Sequence, residues 1–189
     1  MKNIEIESKY IIDKNLYQKI ENYFKKNGYT YSEEVQYDIY FSPIFCPFFG
    51  GKINNESLRI RKVGGKNILN YKKFIGKTDK ADSYCIEHEM EIDNVPMFKQ
   101  ILEDLRIEEA FTLIKKRKKY IFNNLLEVSL DDVTDLGYFI EIELIGSEKD
   151  IDQAMELRDK LIKEFNLKEE MQSYKGYGYM LFEKKGSII

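Results

Sequence analysis

The sequence predicts an α+β fold: an eight-stranded antiparallel β-barrel, or tunnel, with a charged lumen and helices packed on the outside. Three observations support this prediction. About eight segments have strand-like composition or strict alternation, three have helical periodicity, and short turns connect most of the strand segments. Because 189 residues is an ordinary length for one domain, residues 1–189 are expected to form a single domain.

The first three elements alternate between strand and helix. Residues 3–12 alternate apolar and charged side chains, which predicts a strand. Asp13 can cap a helix that runs through Lys26, because apolar residues recur at helical spacing until Gly28 ends it. Residues 29–41 are rich in aromatic and β-branched side chains and are expected to form the second strand.

The middle of the chain predicts a loop, a hairpin and a further strand. Residues 42–56 contain two prolines, two glycines and two asparagines, which is typical of a loop, although this one is also rich in phenylalanine. Residues 57–63 and 68–74 flank a Gly/Asn turn at 64–67 and therefore predict a hairpin. Residues 84–93 alternate as strictly as the first strand does.

The last third of the chain returns from strands to a helix. A second helix is expected to start at Pro96, and a third at the capping box that Ser147 and Asp150 form. Residues 173–185 form an aromatic and basic tail. Between the two helices, strands are expected at residues 110–122, 125–132 and 138–145.

The composition excludes several classes of function. The net charge of −3 indicates no duplex nucleic acid or anionic membrane as a partner. No apolar stretch is long enough for a transmembrane helix and no signal peptide is evident, so a soluble cytoplasmic protein is expected. Two distant cysteines, Cys46 and Cys85, and a single histidine, His88, argue against disulfides and against thiolate or histidine metal sites. Any bound metal would therefore be a hard cation with oxygen ligands.

Charged residues of both signs recur at same-face positions of the predicted strands. If the strands close into a barrel, a lumen lined in this way suits a polyanion that carries its own divalent metal, such as a triphosphate with Mg²⁺ or Mn²⁺. The alternative is an open sheet whose charged faces are solvated. The residues concerned are Glu5, Glu7, Lys9, Arg59, Arg61, Lys72, Glu87, Glu89, Glu91, Lys115, Arg117, Asp131, Glu141 and Glu143.

These residues also resemble a known family. Glu5-x-Glu7-x-Lys9 resembles the ExExK signature of the CYTH domain, or triphosphate tunnel metalloenzymes, whose fold is an eight-stranded antiparallel tunnel. The resemblance covers nearly the whole chain, and the chain most resembles the branch named for class IV adenylyl cyclases. The further motifs that carry it are Asp38-Ile-Tyr40-Phe41, Leu58-Arg59-Ile60-Arg61, Asn70-Tyr71-Lys72, Glu87-x-Glu89-x-Glu91, Lys115-x-Arg117, Leu130-Asp131-Asp132-Val133, Leu136-Gly137-x-Phe139-x-Glu141-x-Glu143 and Ser173-Tyr174.

The resemblance implies a role for each charged group. Glu87, Glu89 and Asp131 would complete the substrate-binding surface, either by holding a second metal or by orienting the basic side chains. The divalent metal would be coordinated by Glu5, Glu7, Glu141 and Glu143. The catalytic cations that bind the triphosphate would be Lys9, Arg59, Arg61, Lys72, Lys115 and Arg117.

The resemblance implies a metal-dependent enzyme, and two activities fit it. A class IV adenylyl cyclase converts ATP to cyclic AMP and pyrophosphate, whereas a triphosphatase hydrolyses thiamine triphosphate or inorganic tripolyphosphate. The His-Phe pair that precedes ExExK in the characterised cyclases has no counterpart here, because only four residues precede Glu5. Two further alternatives are a binding module without turnover and an RNA 5′-triphosphatase, which the acidic composition disfavours. The sequence leaves open whether the chain forms a homodimer.

Overall fold

The computed structural model describes residues 7–50, 55–75, 84–145 and 148–186. Over these residues the α+β class is confirmed, with eight strands and four α-helices. The helices are α1 (Lys14–Lys26), α2 (Val95–Asp104), α3 (Ile151–Glu164) and α4 (Tyr177–Lys185). The strands are β1 (Glu7–Ile12), β2 (Tyr31–Pro43), β3 (Glu56–Val63), β4 (Lys66–Ile75), β5 (Tyr84–Glu91), β6 (Ile107–Phe122), β7 (Leu126–Val133) and β8 (Gly137–Leu144).

The eight strands form one antiparallel sheet in the order β1-β8-β7-β6-β2-β3-β4-β5. The eight-stranded antiparallel sheet is therefore as predicted. Among the described residues, however, no hydrogen-bonded ladder joins β1 to β5, so backbone pairing over these residues does not close the sheet. None of the helices found in these ranges is long and apolar enough to cross a membrane.

The chain divides into two compact units. Of the described residues, unit A contains residues 7–34 and 115–174, and unit B contains residues 35–114 and 175–186. Unit A therefore carries β1, β7, β8, α1 and α3, whereas unit B carries β3, β4, β5, α2 and α4. The long strands β2 and β6 each contribute one part to either unit.

In unit A, α1 forms as its sequence predicts. The Asp13 carboxylate accepts a hydrogen bond from the backbone N–H of Leu16 at 2.7 Å, which caps the helix. One face of α1 buries Ile20 and Phe24 completely, and Phe24 stacks on Tyr120 with ring centroids 4.5 Å apart. This apolar core contains α1, α3 and the inward residues of β6, β7 and β8, so the alternate residues of these strands are left for a polar face.

In unit B, α2 packs on the sheet through Leu102, which joins a core with Phe41, Ile60 and Ile92. The Asn94 side chain caps this helix by accepting from the backbone N–H of Met97 at 3.0 Å. Alternate residues of β2 and β3 therefore enter this core, and the remaining ones form a polar face.

Two hairpin turns follow from residues that tolerate positive φ. Asn123 and Asn124 both have positive φ, at 52° and 57°, and join β6 to β7 as predicted. Gly64 and Gly65, at 56° and 80°, join β3 to β4. This second turn is two residues long instead of the predicted four, because Lys66 and Asn67 already belong to β4.

The carboxy-terminal elements differ from the prediction. The sequence analysis assigns no element to the aromatic and basic tail, and residues 177–185 form α4. Gly178 inside the helix and Gly176 at its N-cap obscure the helical pattern in the sequence. Before α3, Asp150 is the N-cap residue but makes no side-chain capping bond, and Ser147 lies outside the described residues.

Candidate functional site

The polar face of unit A carries a chain of buried ion pairs. Arg117 donates to Asp131 through Nε at 2.7 Å and through Nη2, and Nη2 also donates to Glu141. Lys115 Nζ lies 3.3 Å from the Asp131 carboxylate. On the neighbouring strand, Lys9 Nζ lies 3.2 Å from Glu141. Strand register explains these contacts, because Lys9 is directly opposite Glu141, and Arg117 is directly opposite Asp131.

Opposite charges keep these buried groups ionised. Burial alone would raise the pKa of Asp131, but the charges of Lys115 and Arg117 lower that pKa below its ordinary value. Burial alone would lower the pKa of Lys9, but the carboxylates of Glu7 and Glu141 raise it. The carboxylate of Asp131 is completely buried and still carries its charge at neutral pH.

A row of carboxylates crosses three strands of unit A at one register level. Glu143 of β8 is directly opposite Glu7 of β1 and also directly opposite Glu127 of β7. Directly opposed like charges repel, and a cation between them would relieve this repulsion. Glu127 was not among the predicted site residues, although the alternation Glu127-x-Ser129-x-Asp131 places it on the face of Asp131.

The carboxylates of unit A have the right chemistry for a magnesium or manganese site but do not complete one by themselves. Oxygen donors are the ligands that these cations prefer. Within the described ranges, however, no three Asp, Glu, His or Cys side chains lie close enough together to hold a metal ion. Of the four predicted metal ligands, Glu7, Glu141 and Glu143 lie on this face, and Glu5 lies outside the described residues.

Unit B contains a second charge cluster, centred on Asp38 of β2. The carboxylate of Asp38 is 1% exposed. It accepts two hydrogen bonds from Arg61, from Nε and Nη2 at 2.7 Å each, and one from Arg59 Nη1 at 3.3 Å. Arg59 Nη1 also donates to the Tyr40 hydroxyl at 3.3 Å. Burial alone would lower the pKa of Arg59, but Asp38 and Tyr40 raise it.

The same polar face continues across β4 and β5. Lys72 Nζ lies 3.1 Å from Glu87, which is directly opposite it in the ladder. Asn70 donates to Glu87 and, at 2.8 Å, to Glu89. In the described part of the chain, the buried Oδ1 of Asn70 and the buried Nε of Arg59 have no hydrogen-bond partner. Buried polar atoms of this kind are unfavourable unless something pairs with them, so a polar ligand would complete both groups.

The structure brings the predicted site residues together as two clusters and pairs each predicted cation with a carboxylate. Asp38, Tyr40 and Asn70 contact predicted cations or carboxylates, although they were quoted only as parts of motifs. The unit B cluster contains the predicted residues Arg59, Arg61, Lys72, Glu87 and Glu89. The unit A cluster contains the predicted residues Glu7, Lys9, Lys115, Arg117, Asp131 and Glu141.

The comparisons with known proteins find matches over nearly the full length of the chain. The CYTH domain profile matches residues 3–177. A protein from Methanocaldococcus jannaschii named "Putative adenylate cyclase MJ0240" is 31% identical over 176 residues, which cover 92% of this chain and 96% of that protein.

Solved structures share the fold. The PH1819 protein of Pyrococcus horikoshii OT3 has a TM-score of 0.73 and 28% identity, with 95% of this chain and 99% of that chain covered. "Putative adenylyl cyclase HpAC1" from Hippeastrum is described as having a dominant triphosphatase activity. It has a TM-score of 0.66 and 16% identity, and the match covers 100% of this chain and 98% of that chain. The profile match, the archaeal relative and the ordered charged motifs agree, and the chain belongs to the CYTH domain family.

Proposed function

We propose that this chain is a divalent-metal-dependent enzyme that acts on a triphosphate, most like a class IV adenylyl cyclase that converts ATP to cyclic AMP and pyrophosphate. The observation that carries the proposal is the set of cations that buried and half-buried carboxylates hold on the polar faces of both units. Phosphoryl transfer depends mainly on positioning and charge neutralisation, so it needs no histidine base.

In this proposal the cations bind the phosphate oxygens. The three arginines, Arg59, Arg61 and Arg117, keep their charge at any pH and offer the donor groups that their aspartates do not use. The lysines, Lys9, Lys72 and Lys115, add compact charges. Removal of one such contact should lower the rate by about 10²- to 10³-fold, as with other preorganised donors to developing charge.

In this proposal Mg²⁺ or Mn²⁺ is held by Glu5, Glu7, Glu141 and Glu143. Glu127, which is directly opposite Glu143, lies beside these ligands on the same face. When bound, such an ion neutralises charge on the phosphate oxygens. Glu141 already accepts from Arg117 and lies beside Lys9, so these two cations hold its carboxylate in place. This arrangement supports a metal next to the phosphate-binding cations.

Hydrolysis of a triphosphate is the second candidate activity. HpAC1, which shares this fold, is described as having a dominant triphosphatase activity. The two reactions need the same phosphate-binding cations and differ in the nucleophile: the ribose 3′-hydroxyl attacks the α-phosphate in cyclisation, and water attacks the terminal phosphate in hydrolysis. Seating of the triphosphate would therefore select between them.

Product analysis tests the proposal. The purified chain is incubated with Mg²⁺ or Mn²⁺ and, separately, with ATP and with tripolyphosphate, and the products are separated by chromatography. Cyclic AMP with pyrophosphate is the expected result. Orthophosphate from tripolyphosphate without any cyclic nucleotide would identify a triphosphatase, and no product from either substrate would contradict the proposed enzyme.

A matched pair of variants tests the phosphate-binding face. Arg59 is on the polar face, whereas Lys62 on the same strand is exposed. Arg59→Ala should weaken tripolyphosphate binding, measured by titration calorimetry, about tenfold or more, as expected for a lost charge-assisted contact. Lys62→Ala should bind like the parent. Equal losses in the two variants would contradict the assignment of Arg59 to the site.

A further inference from the structure

We infer that Asp38 is a positioning residue, which holds Arg59 and Arg61 in the orientation that a triphosphate requires. This inference rests on the proposed function, because it assumes that both arginines bind phosphate. It adds a residue for which neither the sequence motifs nor the family comparison supplies a role.

The first argument is the geometry of the contacts. The Asp38 carboxylate accepts hydrogen bonds from Nε and Nη2 of Arg61 at 2.7 Å each, and these two bonds fix the plane of that guanidinium. The same carboxylate accepts a hydrogen bond from Arg59 Nη1 at 3.3 Å. One buried acid therefore restrains two arginines that lie two residues apart on the neighbouring strand.

The second argument concerns the N–H groups of the two arginines that do not contact Asp38. The Asp38 contacts use the Nε and Nη2 edge of Arg61, so Nη1 is the group left to meet another anion. In Arg59 they use Nη1, and the buried Nε has no hydrogen-bond partner in the described part of the chain. Each arginine thus has a donor group that its carboxylate does not use.

The third argument is that the same arrangement occurs again in unit A. Asp131 of β7 is completely buried and holds Lys115 and Arg117, which are also two residues apart on the adjacent strand. A long basic side chain that is already restrained loses less conformational freedom when it binds a ligand. A buried acid beside each pair of cations therefore prepares them for binding and balances their charge before the substrate arrives.

Asp38→Asn tests the inference, because it keeps the shape and removes the charge. Turnover of the triphosphate that the parent converts, measured with Mg²⁺, should fall about 10²-fold in kcat, since small misplacements of positioning groups cost about that much. Titration calorimetry with tripolyphosphate should show a much smaller change in Kd than in kcat, because the lost restraint weakens binding while the lost negative charge strengthens it. Glu33→Gln, the same charge change at an exposed position of β2, should leave kcat and binding at parent values. Parent-like kcat in Asp38→Asn would overturn the inference.

A double variant separates positioning from stability. If Asp38 acts through the arginines, Asp38→Asn should cost much less in an Arg61→Ala background than in the parent. A full additional loss of kcat in that background would overturn the inference. If Asp38→Asn does not fold, Arg61→Lys keeps the charge but loses the two-point contact, so it should show the same fall in kcat, and parent-like turnover would overturn the inference.

The calorimetry also distinguishes this inference from the proposed function. Parent-like tripolyphosphate binding by both Arg59→Ala and Arg61→Ala would contradict the proposed function itself. Weak binding by those two variants, combined with parent-like kcat in Asp38→Asn, would contradict only the role of Asp38.

Discussion

At the scale of single residues, buried aspartates organise the charges of both clusters. Asp38 and Asp131 are at most 1% exposed, and each is shared by two cations on an adjacent strand. Removing one partner from a buried ion pair leaves an uncompensated charge, which is strongly unfavourable. Both acids are therefore expected to contribute to stability, and a change of pH tests this contribution for Asp131.

Asp131 predicts a loss of stability in acid. Its pKa in the folded chain lies below its ordinary value, so the unfolded chain binds a proton at a higher pH than the folded chain does. Its contribution to the free energy of unfolding is present above about pH 4 and is lost as the pH falls through the folded-state pKa. Urea unfolding between about pH 5 and about pH 3 should show a shallower decline in Asp131→Asn than in the parent.

Asp152→Asn, at an exposed position of α3, is the control and should decline with acid as the parent does. The same slope in the Asp131→Asn variant and the parent would mean that other carboxylates produce the acid sensitivity.

At the scale of elements, α4 supports the polar face of unit B through Tyr40. The ring of Tyr40 packs on Phe49 and stacks on Phe111 with centroids 4.9 Å apart. Tyr179 of α4 anchors the helix by donating to the carbonyl oxygen of Glu56 at 2.6 Å. Because Arg59 donates to the Tyr40 hydroxyl, this aromatic cluster reaches the arginines of the site.

Gly178 allows the close approach of α4 to Tyr40. A Cβ atom added at Gly178 would lie 2.7 Å from the Tyr40 ring, which is buried and packed on other aromatic rings. Gly178→Ala should therefore lower the free energy of unfolding by about 1–2 kcal/mol, because overpacking outweighs the better helix propensity of alanine. Thermal and urea unfolding measure this change.

Gly176→Ala is the matched control, because nothing lies within 4 Å of the added Cβ atom. Its effect should stay below about 1 kcal/mol, the size of a helix-cap change. Stability of Gly178→Ala equal to or above that of the parent would show that the Tyr40 ring can move away without cost.

At the scale of the whole molecule, the charge balance favours a small anion over a nucleic acid. The 30 basic residues are outnumbered by 33 acidic ones, and the six predicted site cations all pair with carboxylates. Tight binding of a nucleic acid backbone depends on an excess of cations that displace counterions. The protein would therefore bind a triphosphate through local contacts instead of a general positive field.

This charge balance predicts that an RNA chain attached to a 5′-triphosphate does not increase the affinity of the protein for the triphosphate. An RNA oligomer with a 5′-triphosphate should compete with labelled ATP no better than unlabelled ATP does, and duplex DNA should not compete. Competition measured by fluorescence anisotropy at two salt concentrations tests this. Binding of the RNA about tenfold tighter than ATP, with a steep decrease in high salt, would instead indicate an RNA 5′-triphosphatase.

Much of this architecture could be predicted from the sequence, because alternation and helical periodicity are local. The cap at Asp13, the Asn123-Asn124 turn and the eight strands follow from residues close together in the chain. Alternation also separates Lys115 and Arg117, which are buried, from the exposed Lys116 between them. Helix α4 escaped prediction because Gly178 disfavours an isolated helix and the packing of α4 on Tyr40 is a long-range contact.

The sequence by itself determined which residues alternate onto a charged face and to which family the chain belongs. Only the tertiary structure decided which carboxylate holds which cation. Asp38 and Arg61 are 23 residues apart, and Arg117 and Glu141 are 24 apart. They meet because strand register aligns Asp38 with Arg61 and places Arg117, Asp131 and Glu141 on neighbouring strands. A short turn can fix the register of a hairpin, but the connection from β2 to β3 is too long for this, so the pairing of Asp38 with Arg61 depends on packing along the sheet.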